Sequence, residues 1–167
     1  KIFNLDKKKL INICASVECI HSYSLIHDDL PCMDDDSVRR GKPSTHIKFG
    51  EASAVLAGNS LLTLAFEIIA DKNYNIKSKS KNEIIKSLAY CSGHTGIAGG
   101  QELDLKFEKK KKSLNQIISM QKKKTGKLFS FCLYAVGELA KKSYKEKKFL
   151  ITLGEEIGLL FQLADDF

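Results

Sequence analysis

Apolar residues recur at spacings of three and four along five stretches of this chain, at roughly 8–30, 50–70, 81–106, 114–140 and 145–167. That period lays them on one face of a helix, and no stretch has the every-second-residue alternation of a half-buried strand. The spacing therefore predicts an all-α fold. A polar connector over 71–81 and a lysine-rich loop over 107–113 separate the helices. Gly93, Gly96, Gly99 and Gly100 interrupt the third, where they either end a helix or let two backbones approach closely. No internal repeat is found. With 43% hydrophobic residues and two prolines among 167, the chain has the composition of a folded helical protein, and disorder is excluded.

The formal charge of +7 resides in lysine runs such as Lys109 to Lys112 and Lys122 to Lys124, without interleaved aromatics. Such runs read as solvated faces and loops, so no nucleic-acid partner is expected. Five cysteines form no CxxC pair and sit in apolar helical patterns, which reads as reduced thiols in an intracellular protein. The longest apolar stretch, Ala52 to Ala70, carries Asn59 and Glu67 and is expected to be a buried core helix rather than a membrane span. Lys1 to Lys9 is too charged for a signal peptide. The expected location is the cytoplasm, with an organellar segment upstream left open.

Between positions 28 and 40 lie five carboxylates, Asp28, Asp29, Asp34, Asp35 and Asp36, followed by Arg39 and Arg40. Five clustered carboxylates repel one another unless a cation sits among them, and oxygen ligands without His or Cys suit Mg²⁺ better than zinc. These two are the only arginines in a chain with 27 basic residues. Using the planar bidentate fork only here points to diphosphate recognition. On an ideal helix Asp28 and Asp35 share a face and Asp34 lies about 120° away. Pro31 loosens the helix, so either Asp34 or Asp35 could swing back to Asp28. Upstream, His21, Ser24, Leu25 and Asp28 follow one helix face, and a second acidic pair, Asp165-Asp166, ends the last apolar run. Carboxylate pairs at the ends of two apolar helices suit a metal cluster clamped from both sides.

Four segments in order carry a resemblance: His21 through Pro31 and on to Arg40-Gly41-Lys42-Pro43; Gly99-Gly100-Gln101-Glu102-Leu103-Asp104-Leu105; Lys124-Thr125-Gly126; and Phe161-Gln162-Leu163-Ala164-Asp165-Asp166. Together they resemble the trans-isoprenyl diphosphate synthases, most closely the bacterial-type farnesyl diphosphate synthases. The resemblance implies an isoprenoid synthase helical bundle around a central cavity, with two aspartate-rich motifs facing each other. It implies Mg²⁺ as cofactor, bound by Asp28, Asp29, Asp34, Asp165 and Asp166. Arg39 would hold an allylic diphosphate, and Arg40 with His21 isopentenyl diphosphate. Lys124, Thr125 and Gln162 would line the reacting end, bind substrate there and act in catalysis, with Gln101 and Asp104 bordering the site.

The implied reaction condenses isopentenyl diphosphate with dimethylallyl or geranyl diphosphate to give farnesyl diphosphate. The implied assembly is a homodimer. Tyr23 and Ser24 lie five and four residues before Asp28, about 7 and 6 Å deeper along the helix, where a growing chain would meet the cavity wall. A bulky aromatic there accompanies the farnesyl product in the family. Alternatives are a geranylgeranyl diphosphate synthase and a non-catalytic synthase-like subunit. A terpene cyclase would have no need of Arg39-Arg40 and Lys124-Thr125-Gly126. The family's upstream basic segment and the last aspartate of its second motif are not in the sequence. Residues 1–167 are accordingly expected to be a single helical synthase domain, incomplete at both ends.

Overall fold

Helix formation follows the apolar spacing closely. In the computed structural model, which describes residues 3–108 and 110–165, α1 runs Lys7–Asp28, α3 Glu51–Ala70, α4 Ser78–Ser92, α5 Ile97–Phe107, α6 Leu114–Gln121, α7 Lys127–Leu139 and α8 Tyr144–Asp165. A single turn, α2, covers Thr45–Phe49. The all-α expectation is met, with two corrections. The helix expected over 81–106 is two helices, because the chain breaks at Gly93–Gly96 and restarts at Ile97. A two-stranded antiparallel hairpin, β1 Val38–Arg39 and β2 Lys42–Pro43, also stands where no strand was expected. Strands of two residues are too short to give an alternating pattern.

The chain divides into two compact units. One spans Cys14–Ile68. Within it α1 buries Ser16, Ile20 and Tyr23 along one stripe. The hairpin follows, closed by Arg40 and Gly41 at φ 52° and 73°. Positive φ at both central residues is the I′ turn that matches strand twist, and Gly41 takes it without strain while Arg40 does not. Ser44 and His46, both buried, pair at 3.2 Å through Oγ and Nδ1 and fix the start of α2. α3 is not the buried core helix the sequence suggested. Ala54, Ala65 and Ile69 are buried, whereas Val55, Leu56 and Leu64 are exposed. The helix is long and apolar enough to cross a membrane by length and composition alone.

The other unit joins the chain's first residues through Ile13 to everything from Ile69 onward. Its core holds Ile84, Leu88, Met120, Phe131 and Ala135. α6 and α7 form one continuous helix through a π-helical turn, Lys122–Gly126. α8 packs on it through glycines: a Cβ at Gly154 would stand 2.5 Å from the Ser130 Cα, and one at Gly158 2.6 Å from the Gly126 Cα. Two capping boxes start these helices. Ser113 and Gln116 exchange bonds at 3.0 and 3.3 Å ahead of α6, and Ser143 and Glu146 at 2.8 and 3.3 Å ahead of α8.

Candidate active site

α1 ends on the acidic motif. The Leu30 N–H tightens onto the His27 carbonyl at 3.2 Å, and Pro31, with no N–H to give, stops the ladder. The chain then folds back, with the Asp34 N–H donating to the Asp28 carbonyl at 2.9 Å and the Asp35 N–H to that of Leu30 at 3.2 Å. Of the two acids the sequence left open, Asp34 is the one tied to Asp28 through the backbone. Asp35 sits at φ 53°, a left-handed conformation that aspartate tolerates better than most residues.

Asp29 is 2% exposed and receives the Arg39 guanidinium through Nε, at 3.0 and 3.3 Å, and through Nη2. Asp36 adds a longer contact to the same Nη2 at 3.4 Å, a partner that sequence reasoning did not assign although it stands three residues before Arg39. The bond to Asp29 raises the basicity of Arg39 above its ordinary value, against the opposing pull of burial. Arg40, at the tip of the hairpin, places Nη2 3.2 Å from Nε2 of His21. A guanidinium only donates, so His21 accepts there and carries its proton on Nδ1. The hairpin thus delivers Arg39 to Asp29 and Arg40 to His21. Tyr23 is buried, which together with the nearby Asp28 carboxylate raises its phenol. The Ser24 hydroxyl donates back to the His21 carbonyl at 3.0 Å.

The second unit gathers the other expected residues. Gly100 of α5 lies against the π-helical turn so closely that a Cβ there would overlap the Lys124 backbone. On that seam Lys124 Nζ donates to Asp104 Oδ2 at 2.5 Å, and Gln101, one turn before Asp104, is buried. The Thr125 hydroxyl donates to Gln162 Oε1 of α8 at 3.2 Å. Lys124 and Thr125 are adjacent in sequence, and the wider turn sends one toward α5 and the other toward α8. π-helical turns inside α-helices occur often at functional sites. No periodic signal in the sequence could have revealed this one. Asp165 is the last residue of α8, and Asp166 lies outside the described residues.

Among the described residues no three His, Cys, Asp or Glu side chains converge as a metal cage. Mg²⁺ does not need one, since it is commonly held by one or two carboxylates with waters and substrate phosphates. Asp28 and Asp34, joined by the backbone bond, fit that donor set.

The polyprenyl synthetase family pattern matches residues 1–167. This chain belongs to the polyprenyl synthetase family. It is 44% identical over 168 residues to the farnesyl diphosphate synthase of Escherichia coli, covering 99% of this chain and 56% of that protein. A solved FPP/GFPP synthase from Zymomonas mobilis matches at TM-score 0.94 and 43% identity, over 99% of this chain and 60% of that one. A geranyltransferase from Helicobacter pylori, solved with magnesium and isoprenyl diphosphate, matches at TM-score 0.90 and 37% identity, over 98% and 56%. The family chain described here therefore spans a little over half the length of such relatives.

Proposed function

We propose that the protein carrying this chain is a Mg²⁺-dependent trans-prenyltransferase of the farnesyl diphosphate synthase type. It condenses isopentenyl diphosphate with dimethylallyl and then geranyl diphosphate, in the cytoplasm and as a homodimer. One observation supports this most: the chain's only two arginines stand on one hairpin, each oriented by a residue of α1, Asp29 for Arg39 and His21 for Arg40. Anchored forks of this kind suit bidentate capture of diphosphates.

Asp28 and Asp34 would hold Mg²⁺, which would neutralise charge on a departing pyrophosphate, and Asp165 and Asp166 are proposed as the metal ligands of the second motif. Asp29 was expected in that set. Its carboxylate is directed at Arg39, so we assign it to orienting that guanidinium on the allylic diphosphate. Arg40 and His21 would take isopentenyl diphosphate. Lys124, drawn to Asp104, would place its charge at the leaving group, while the Thr125 hydroxyl and Gln162 amide would turn their dipoles on the allylic cation as it forms. The isopentenyl double bond then attacks that cation, and proton loss, with pyrophosphate as base, completes the new chain.

The test is incubation of the full-length protein with labelled isopentenyl diphosphate and geranyl diphosphate. A fifteen-carbon product that needs added Mg²⁺ is expected. No prenyl product under any divalent ion would overturn the reading and favour a non-catalytic subunit.

A further inference from the structure

Whether an aromatic wall residue limits chain growth depends on whether it can swing aside. Tyr23, 8% exposed, meets the His27 ring edge-on, with centroids 5.7 Å apart and planes at 85°. Two separate features of α3 fix that imidazole. Its Nε2 stands 3.2 Å from the Val55 carbonyl oxygen, which only accepts, so the proton is on Nε2. One turn further along, Gly58 leaves the ring its space: a Cβ at that position would overlap Nε2 and Cδ2 of His27. A hydrogen bond and a missing side chain thus hold one ring, and that ring backs another.

We propose that His27 and Gly58 are positioning residues for product length: they lock the Tyr23 ring across the path of the growing prenyl chain. The proposal rests on the farnesyl synthase reading above. Neither residue belongs to the diphosphate or metal machinery, so their effect falls on where elongation stops rather than on whether it starts. Gly58→Ala would drive the imidazole off Val55 and release Tyr23. His27→Ala would remove the backing ring directly.

The experiment compares product lengths from the full-length protein and its Gly58→Ala, His27→Ala and Tyr23→Ala variants, alone and in pairs, with melting temperatures alongside. Each single variant is expected to raise the share of twenty-carbon and longer products by about three- to tenfold, the factor matching release of one rotamer restriction. Consumption of geranyl diphosphate should stay near the wild-type rate. In the Tyr23→Ala background neither further change should alter the product pattern, because the lock would have nothing left to hold. His27→Ala only deletes atoms, and serves as the deciding variant if Gly58→Ala does not fold. A wild-type product pattern from His27→Ala, or an equal shift with Tyr23 already removed, would overturn the proposal even if stability fell. A wild-type protein that makes no prenyl product would overturn the farnesyl reading itself, and this proposal with it.

Discussion

Arg40 occupies a backbone conformation that suits glycine, at φ 52° in a two-residue turn, and a non-glycine residue there costs about 1 kcal/mol. Its side chain and its backbone therefore pull in opposite directions. Arg40→Gly should melt no lower than the wild type in thermal unfolding while isopentenyl diphosphate binding weakens. Arg40→Lys keeps the charge but loses the fork, and calorimetric titration should find binding weaker by about 1–3 kcal/mol. Unchanged affinity in both variants would reduce the hairpin arginine to a surface ion pair. The acids should separate in the same way. Asp28→Ala and Asp34→Ala should abolish turnover with the helical circular dichroism intact, since each removes a like charge. Asp29→Ala should also lower stability, by about 1 kcal/mol, because a part-buried guanidinium loses its closer partner and keeps only the longer contact to Asp36. Sequence alone singled out all these residues as candidates. It could not say that Asp29 turns to Arg39, because the choice between two neighbouring carboxylates is made by the fold-back at Pro31 and by a hairpin too short to leave a pattern.

The starts of α6 and α8 were legible from apolar spacing, at about 114 and 145 against Leu114 and Tyr144, whereas the start of α5 was missed. A four-residue cap that the spacing did not use stands ahead of both α6 and α8. Ser113-Leu114-Asn115-Gln116 and Ser143-Tyr144-Lys145-Glu146 both form the reciprocal bonds that the S-x-x-E/Q spacing allows. Glu146 supplies a pH test. Bonds from the Ser143 hydroxyl and N–H, then the nearby Lys142, lower its carboxyl to about 2 from an ordinary 4.5. The folded value is the lower one, so the cap's contribution is complete above about 4.5 and is lost as pH falls through about 2. The stability difference between wild type and Ser143→Ala should therefore be present at neutral pH and shrink across that acid window. The packing of α8 on α7 was less legible. Gly154 and Gly158 were not singled out by the apolar spacing, yet both stand where backbones nearly touch. Gly158→Ala should lower unfolding stability by about 1–3 kcal/mol, the usual cost of overpacking, and disturb the Thr125–Gln162 pair one turn away.

At the scale of the whole molecule, the donor chemistry can be tested by metal removal. Chelation should stop prenyl product formation by the full-length protein, and Mg²⁺ should restore it where zinc does not, because the acids supply hard oxygen alone. Restoration by zinc alone would sink the assignment of Asp28 and Asp34. The exposed Val55, Leu56 and Leu64 of α3 carry the homodimer proposal. Light scattering should give the mass of two copies, and Leu56→Lys should shift it toward one.

The π-helical turn at Lys122–Gly126 amounts to one residue more than an α-helix would use. A straight helix has a single phase, so the direction set by Met120, buried on α6, would dictate every side chain after it. The extra residue resets that phase. It lets α6 keep Met120 inside while α7 begins afresh with Gly126 and Ser130 against α8. Lys124 and Thr125 fall at the change of phase, which is how neighbours in sequence come to serve different helices. Excising Lys123 would give a smoother and locally more regular helix, yet only one of the two phases could then be honoured. Either Lys124 would leave Asp104 or Gly126 would rotate away from Gly158. The irregularity works as a frameshift written in three dimensions, and a protein regularised at this point should be a worse enzyme for it.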